Sequence, residues 1–421
     1  MFLDHYANFE ISNLPNGLKV YNYKWPYNVG YHRIGLIIHT GSDKDPVGLE
    51  GLAHYVEHMV ANSCKTNEME DFFSDKGGFI TFGNTSFKGI SYRFKTSNDR
   101  DSIKESLEKL SEIIFNANIT EQGLEKQRNI IRCEFLKSYP NNFSYERILR
   151  EHSSVYPNTF LERLPSLLGN LETITNISLK DIKTFYDIHY VPANMSIVSV
   201  GNLSIEEITN MLSSTEFGRN YNIGKLNPKP DLNPSIINPK EHFYEYELHK
   251  VLKMEKQYDD FFSYSGVTSL PNTVSSKAIY IYMNMLITKL NDVFREDLEA
   301  TYHIDCCMYN FRHFYNFQIY SSNLNLRILP DINTLIQDCV KGCLSKDNFE
   351  KERRHSLMYL QSLDEKGSDI LDNSMGDLED YHQIITIQDS LDKYSNLEFQ
   401  DVEHIASLLS SDRLWTCITK P

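Results

Sequence analysis

Two spacings of apolar residues alternate along the first half of the chain. Short runs rich in β-branched and aromatic residues predict strands, and these lie at Ile34–His39, Ile90–Lys95 and Ser196–Gly201. Apolar residues at helical spacing predict helices at Leu52–Asn62, Ser102–Asn116, Glu121–Ser138 and Leu179–His189. Because long helical pairs separate the strands, the pattern favours an α+β fold, a mostly antiparallel sheet with helices on one face.

The second half of the chain repeats part of this pattern. Residues 118–135 read NITEQGLEKQRNIIRCEF and residues 343–360 read CLSKDNFEKERRHSLMYL. Glu125 of the first segment aligns with Glu350 of the second, at an offset of 350 − 125 = 225 residues. The repeat predicts two similar α/β sandwich domains.

The domain boundaries follow from a change in composition. Residues 222–240 contain four prolines and many asparagines, which is typical of an irregular linker. We therefore predict a first domain at 1–221, a linker at 222–240 and a second domain at 241–421.

A candidate metal motif lies on the first predicted helix. Residues 54–58 read HYVEH, the pattern H-x-x-E-H. His54 and His58 are four residues apart and share one helix face, so both imidazoles can reach one Zn²⁺. Glu57 projects beside them and can take a proton from water at the open coordination position. The five residues alone also fit a solvated helix face, and a catalytic zinc site needs a third protein ligand.

The candidate third ligand lies on the predicted helix Glu121–Ser138. Glu134 follows the second histidine of the motif by 134 − 58 = 76 residues. With this spacing the chain resembles the pitrilysin family, also called the insulinase or mitochondrial-processing-peptidase family of inverzincins. The resemblance implies that Glu134 is the third zinc ligand and Glu57 the general base. One Zn²⁺ per chain is expected, since no H-x-x-E-H occurs after residue 230.

The resemblance extends over nearly the whole chain. Leu14–Val20 is similar to the family's opening strand and turn, and Tyr190–Gly201 to the strand that closes its first domain. Arg295 and Tyr302, seven residues apart, resemble a second-domain pair that faces the zinc. The resemblance implies a short, two-domain, bacterial-type member whose domains enclose a chamber, with Tyr302 and Arg295 acting on the substrate oxyanion.

Two segments depart from the family pattern. Gln127 stands where the family usually carries a supporting glutamate, and its amide keeps hydrogen-bonding capacity without the charge. In the segment that resembles the substrate strand, Phe82 and Gly83 replace an expected Asn-Ala, whereas Thr85 fits. An edge strand still pairs with a peptide through its backbone. The predicted substrate-binding residues are Phe82, Gly83, Asn84 and Thr85.

Composition narrows the partners and the compartment. The 421-residue chain has a net charge of −15 and no basic stripe, which argues against nucleic acid and anionic membranes as partners. No apolar run reaches the ~18 residues of a transmembrane helix, and no secretory signal is visible. The seven cysteines are odd in number and form no disulfide framework, which favours a cytoplasmic location.

The predicted function is that of a zinc-dependent metalloendopeptidase. The resemblance implies hydrolysis of extended peptides or unfolded precursor segments, with removal of a leader peptide as one specific role. It also implies assembly as a homodimer, or as a heterodimer with a related subunit. Two alternatives remain open: a non-catalytic scaffold that has lost its activity, and a peptide-binding subunit of the same family.

Overall fold

The computed structural model describes residues 9–25, 30–62, 66–139, 167–220, 249–253, 261–311, 314–362, 367–409 and 414–420. They form two compact units. In the first unit the described strands make a six-stranded sheet in the order β1-β2-β6-β3-β5-β4. These strands are β1 Phe9–Asn13, β2 Lys19–Lys24, β3 Tyr31–Ile38, β4 Phe79–Thr85, β5 Ile90–Ser97 and β6 Met195–Gly201. Only β2 and β6 pair in parallel among them.

Helices connect these strands in the first unit. They are α1 Leu52–Ala61, α2 Thr66–Asp75, α3 Arg100–Phe115, α4 Glu121–Ser138, α5 Leu171–Asn176, α6 Leu179–His189, α7 Ile205–Ser213 and α8 Glu216–Arg219. The predicted bounds of α4 and α6 are confirmed, and those of α1 and α3 differ by one or two residues at an end. Caps explain this agreement. Thr120 accepts the N–H of Gly123 at the start of α4, and Ser178 and Asp181 form a capping box on α6.

The described strands of the second unit form a five-stranded sheet in the order β7-β11-β8-β10-β9. These strands are β7 His249–Lys253, β8 Phe261–Pro271, β9 Asp305–Phe311, β10 Phe314–Asn325 and β11 Trp415–Lys420. The helices assigned to this unit are α9 Ser276–Asn291, α10 Ile332–Gly342, α11 Lys346–Ser362, α13 Ile387–Ser395 and α14 Phe399–Leu408. As in the first sheet, the last strand pairs in parallel with an early one and antiparallel with the next.

The internal repeat is visible in side-chain contacts as well as in topology. Arg128 on α4 pairs with Glu125 at 3.2 Å, and its guanidinium donates to the backbone oxygens of residues 174, 175 and 177. Arg353 on α11 pairs with Glu350 at 2.7 Å and donates to the backbone oxygens of residues 395 and 397. The prediction of two similar mixed α/β domains is confirmed. Each domain contains the same kind of arginine contact, from its own helix to its own backbone.

The first sheet is covered on both faces, which the sequence pattern did not predict. Phe94 pairs across the sheet with Ile34, and its ring lies 5.1 Å from that of Phe73 on α2. Gly35 points to the opposite face, because side chains alternate along a strand. A Cβ added to Gly35 would lie 2.2 Å from the sulfur of Met375. Helix α12, Gly367–Tyr381, therefore covers the second face.

This helix corrects the predicted domain boundaries. Residues 363–387, predicted to belong to the second domain 241–421, fall in the first unit. The apolar residues of α12 join strand residues in one buried cluster, made of Tyr21, Tyr23, Trp25, Ile37, Val198, Val200, Ile370, Leu371, Met375 and Leu378. Helical periodicity shows that α12 has an apolar face but not which sheet it covers, so the pattern alone misassigned it. The predicted linker, 222–240, lies outside the described residues.

Candidate metal centre

Helix α1, which carries the metal motif, starts at a tightly constrained turn. Gly51 has φ +91°, and an added Cβ would lie 2.6 Å from the backbone nitrogen of Gly169. The Asp45 carboxylate accepts the N–H groups of Gly51 and Ala53, each at 2.8 Å. Asp45 therefore satisfies free donors of the first turn from a distance, in the role of a cap. Burial raises the pKa of Asp45 to about 7, although these two hydrogen bonds oppose the shift.

Helix α1 is attached directly to α4, which carries the candidate third ligand. The Tyr55 hydroxyl donates to the backbone oxygen of Leu124 at 2.7 Å. Leu124, Ile131 and Phe135 form the buried face of α4. Gln127 is also buried, and it precedes Glu134 by about two helical turns, so both project on the side of α1. The contact between the two helices thus determines which side chains meet the motif.

The three predicted ligands converge. Glu134 Oε2 lies 3.3 Å from His58 Nε2 and 3.7 Å from His54 Nε2. One ligand atom from each of the three residues lies within 4.8 Å of the others. Two nitrogens or oxygens ~2.0–2.1 Å from a tetrahedral Zn²⁺ are roughly 3.3 Å apart. The donor set and its spacing therefore fit zinc, and among the described residues no other group of three or more His, Cys, Asp or Glu side chains lies this close together.

The charges of the triad are mutually adapted. Burial, and then the neighbouring His58, lower the pKa of His54 to about 4, so this imidazole is neutral at pH 7. The hydrogen bond with His58 lowers the pKa of Glu134. Burial opposes protonation of His58, but the hydrogen bond to Glu134 and the charge of Glu57 outweigh it and raise its pKa. A divalent cation at this point would replace the proton that two histidines and a carboxylate otherwise attract.

Gln127 contacts one of the predicted ligands. Its Oε1 lies 3.3 Å from His58 Nδ1 and can accept the proton of that nitrogen. In the neutral ring with Nδ1 protonated, the lone pair on Nε2 is available to a metal ion. Metal-binding histidines generally donate their second N–H to such an oxygen. The structure places the Gln127 amide against His58, where it supplies an acceptor in place of a carboxylate; its supporting role in metal binding stays a prediction.

Glu57, the predicted base, lies beside the triad and out of bulk water. Its carboxylate is buried, and Thr85 Oγ1 donates to its Oε2 at 3.4 Å. Burial raises the pKa of Glu57 to about 7; the charge of Glu134 adds to this rise, and His58 opposes it. A carboxyl group with a pKa near neutrality can both accept and release a proton at pH 7.

The predicted substrate strand forms the wall next to Glu57. Strand β4 is at the edge of its sheet, and its register with β5 shifts between Thr81 and Asn84. A Cβ added to Gly83 would lie 2.3 Å from Glu57 Oε1. Phe82 is part of β4, but its side chain is not among those described. The structure therefore brings Gly83, Asn84 and Thr85 to the metal motif.

A cavity of about 370 Å³ opens at this point. It is lined by His54, Glu57, His58, Ala61, Asn62, Gly83, Asn84, Thr85, Glu134, Leu167 and Leu168. Sequence reasoning missed Leu167, Leu168 and the capping role of Asp45. Helix α1 starts at a glycine, which has no side chain to cap it, and this could have indicated that a nearby polar residue such as Asp45 does so. No sequence signal indicated the two leucines.

Arg295 and Tyr302 are described within the second unit. The Arg295 guanidinium lies 5.0 Å from the centre of the Tyr302 ring, and its Nε lies 3.2 Å from Glu296 Oε1. The Tyr302 side chain is 82% exposed, so its hydroxyl is accessible to another molecule. The predicted catalytic role of the pair stays a prediction.

The fold and the site together define a two-domain protein that carries an inverted zinc-peptidase motif in its first half. The family profile described as insulinase (peptidase family M16) matches residues 31–156. A second profile, described as the peptidase M16 inactive domain, matches residues 176–352. The chain belongs to the insulinase family, peptidase family M16, whose members include zinc proteases.

Two curated relatives illustrate the similarity. An uncharacterised zinc protease of Rickettsia felis is 30% identical over 224 residues, covering 51% of this chain and 52% of that protein. The human mitochondrial-processing peptidase subunit beta is 27% identical over 188 residues, covering 44% of this chain and 37% of that protein. The matched region thus spans about half the length of these relatives, or less.

Solved structures agree with the fold over the whole chain. A protease from Helicobacter pylori has a TM-score of 0.80 at 19% identity, covering 98% of this chain and 100% of that one. A structure titled peptidase M16 inactive domain, from Pseudomonas fluorescens, has a TM-score of 0.80 at 15% identity, covering 98% of each chain. Within the described ranges, none of the helices combines the length and apolarity that a membrane crossing requires.

Proposed function

We propose that this protein is a zinc-dependent metalloendopeptidase that hydrolyses extended peptides or unfolded precursor segments. The observation that carries the proposal is the convergence of His54, His58 and Glu134 with a buried carboxylate, Glu57, beside an edge strand. A structural zinc site has four protein ligands and no open position. Three ligands next to an unligating carboxylate and a cavity favour a catalytic site instead.

Each residue of the site has a distinct role in this proposal. His54, His58 and Glu134 would hold the Zn²⁺, which supplies Lewis-acid polarisation of the scissile carbonyl and acidifies water. Glu57 takes the proton of the attacking water and later delivers it to the leaving amine. Its burial favours this role, because a group with a pKa near 7 loses little driving force in either direction.

The edge strand β4 supports an extended substrate. A peptide added to its outer edge, which no described strand occupies, would gain main-chain hydrogen bonds without needing a particular side chain. Gly83 and Asn84 lie at the register shift, next to Glu57. Backbone recognition of this kind suits a leader segment or an unfolded precursor, which we propose as the substrate class.

The first experiment measures zinc content and turnover of a quenched, unfolded peptide library. The purified chain is expected to hold one zinc and to cleave peptides, with activity lost on chelation. Glu57→Gln keeps zinc and loses cleavage, because this residue moves protons and binds no metal. Glu134→Ala loses both. Cleavage by the Glu57→Gln variant would refute the assigned base, and full zinc in Glu134→Ala would refute the third ligand.

The role of the second-unit pair is tested separately. Tyr302→Phe is expected to keep zinc and KM and to lower kcat, because a phenol directed at the developing oxyanion acts mainly in the transition state. Loss of one such donor costs on the order of 10²-fold. A change in KM alone would remove Tyr302 and its neighbour Arg295 from the mechanism.

The alternative of a non-catalytic scaffold rests on the match of residues 176–352 to a profile described as inactive. Such a scaffold would hold no zinc and cleave no peptide. The second alternative, a peptide-binding subunit, would hold zinc but cleave no member of the library. Assembly with a second copy or a related subunit is proposed from the human relative, whose name describes a subunit.

The location is proposed to be cytoplasmic. The cysteines whose side chains are described are free, which supports this location. A structural relative from Escherichia coli is described as periplasmic.

A further inference from the structure

The C-terminal end of α12 contacts the turn that joins β4 to β5, residues 86–89, called the hairpin turn below. The Ser86 hydroxyl donates to Glu379 Oε1, and Lys88 Nζ lies 2.6 Å from Asp380 Oδ1. A Cβ added to Gly89 would lie 3.5 Å from Glu379 Cγ. Two consecutive carboxylates of α12 thus hold a single turn of the first sheet.

Ser86 closes the hairpin turn through the same oxygen. Its Oγ accepts the backbone N–H groups of Lys88, at 3.1 Å, and Gly89, at 2.9 Å. Its backbone N–H donates to Gly89 O at 2.8 Å. The Ser86 hydroxyl also lies 3.1 Å from Gly89 O, an acceptor within the turn itself. Glu379 adds an acceptor from α12, and without it the turn loses this link to the helix.

The residue that directly precedes the hairpin turn contacts the proposed base. Thr85 precedes Ser86 directly, and its hydroxyl donates to the Glu57 carboxylate at 3.4 Å. Thr85 is also the last residue of β4, the proposed substrate strand. A displacement of the turn would therefore shift the Thr85 hydroxyl, and with it the hydrogen bond that this hydroxyl donates to the Glu57 carboxylate.

A second connection runs from the hairpin turn to the start of α1. Ser42 N donates to Ser86 O at 3.1 Å, and Asp43 N donates to Phe87 O at 2.9 Å. The same loop carries Asp45, which caps the motif helix. The turn thus contacts both the hydrogen-bond donor of Glu57 and the loop that determines where α1 begins.

We propose that Glu379, assisted by Asp380, is a positioning residue of the peptidase site, holding the hairpin turn so that Thr85 and the α1 cap keep Glu57 in place. The proposal rests on the proposed peptidase function. Glu379 touches neither substrate nor zinc in this scheme; it acts through Ser86. Not every contact of α12 has this role. Asp372, which is exposed and lies near the middle of the same helix, pairs at 3.0 Å with the partly buried Arg93.

The test compares Glu379→Ala with the conservative variant Glu379→Gln and with the matched control Asp372→Ala. Zinc content, kcat and KM on a quenched peptide are measured together with amide hydrogen exchange of residues 79–95. Glu379→Ala is expected to keep one zinc and to lower kcat about tenfold or more, since small displacements of a catalytic group are costly. Its KM changes less than its kcat, and residues 79–95 exchange faster.

Glu379→Gln retains most of the kcat, because an amide oxygen still accepts the Ser86 hydroxyl. Asp372→Ala leaves kcat and the exchange of the hairpin turn, residues 86–89, unchanged, although exchange near its own partner Arg93 can change. Ser86→Ala removes the partner of Glu379 together with the acceptor of the Lys88 and Gly89 N–H groups, so it loses at least as much kcat as Glu379→Ala. If Glu379→Ala does not fold, an unchanged kcat in Ser86→Ala overturns the proposal.

Equal losses in Glu379→Ala and Asp372→Ala would reduce Glu379 to a general docking contact and overturn the proposal. An unchanged kcat in both Glu379→Ala and Ser86→Ala would do the same. If the unsubstituted protein cleaves no peptide, the proposed function fails by itself. Hydrogen exchange then still decides whether Glu379 holds the hairpin turn, since unchanged exchange in Glu379→Ala and Ser86→Ala would overturn that link.

Discussion

At the scale of single residues, the proposed catalytic centre depends on the absence of a side chain at Gly83. The Glu57 carboxylate occupies the space where a Cβ at that position would lie, with Oε1 at 2.3 Å and Cδ at 2.6 Å. No side chain of an ordinary residue can share this space, because real Cβ contacts are longer. The glycine that departs from the family pattern is thus matched to the buried base.

Gly83→Ala is therefore expected to displace Glu57 and to lower kcat/KM on the order of 10²-fold, while zinc stays bound. Peptide turnover and metal content of the purified variant check this. Gly376→Ala is the matched control, because nothing lies within 4 Å of an added Cβ there and alanine is favoured over glycine in a helix. If the Gly83→Ala variant is as active as the control, the Glu57 carboxylate can adopt a second position that still allows cleavage.

A second residue-scale effect concerns stability in acid. His32 is fully buried, its Nε2 lies 2.9 Å from Ser199 Oγ, and burial lowers its pKa to about 4. The unfolded chain therefore takes up this proton near pH 6.5, before the folded protein does. His32 therefore contributes to the free energy of unfolding fully above pH 6.5, and this contribution is lost as the pH falls towards 4. The loss from this group is up to about 3 kcal/mol.

We expect the free energy of unfolding of His32→Asn, measured in urea between pH 7.5 and pH 4.5, to fall less steeply than that of the unsubstituted protein. The slope carries the prediction, since the substitution also changes packing at every pH. Asp45 acts in the opposite sense, because its pKa is raised by burial, but it is present in both proteins and cancels in the comparison. Equal slopes would contradict the assignment to His32.

At the scale of elements, the metal centre is a property of the pair of helices α1 and α4. Helix α1 carries two of the proposed ligands and α4 carries the third, Glu134. The hydrogen bond from the Tyr55 hydroxyl to Leu124 O restrains how far the two helices can slide along each other. Gln127 adds a contact across the pair, to His58 Nδ1. The proposed zinc ligands are thus oriented by contacts between α1 and α4, and neither helix alone would place all three.

Replacing Gln127 by Leu is expected to weaken zinc binding by about 10- to 100-fold, the usual effect of losing such an acceptor. Competition with a chromophoric chelator measures the zinc affinity. Gln127→Glu serves as the control and is expected to bind zinc at least as tightly, because a carboxylate accepts the same proton. If Gln127→Leu and Gln127→Glu bind zinc equally, His58 is oriented by its helix alone.

At the scale of the whole molecule, the first half of the chain does not complete its own core. Helix α12 comes from residues beyond 362 and buries Tyr23, Trp25 and Ile37 of the first sheet. Side chains of this size each stabilise by roughly 1.5–3 kcal/mol when buried. The first unit therefore depends on a segment that follows most of the second half in the chain.

A fragment that ends at residue 221, the boundary predicted from the sequence, is expected to aggregate or to bind a hydrophobic dye, because one sheet face is left uncovered. The same fragment with residues 363–387 fused by a flexible linker is expected to be monomeric. Size-exclusion chromatography and dye fluorescence distinguish the two. A soluble, cooperatively unfolding fragment 1–221 would show that α12 adds little to the stability of the first unit.

Much of the site could be predicted from the sequence because its information is local. His54, Glu57 and His58 are placed together by the geometry of one helix, whatever surrounds it. Glu134 required the family resemblance in addition, since no local rule links it to a motif 76 residues earlier (134 − 58 = 76). The internal repeat likewise predicted two related domains, and both sheets share that topology.

The sequence by itself thus determined the metal motif, the helices and strands that carry it, and the duplication of the fold, since periodicity and caps act over a few residues. Only the tertiary structure decided that α12 covers the first sheet and that its Glu379 contacts Ser86. It alone showed that Gly83 makes room for Glu57. These contacts join residues far apart in the chain, and complementary shape and burial, which no sequence period encodes, select them.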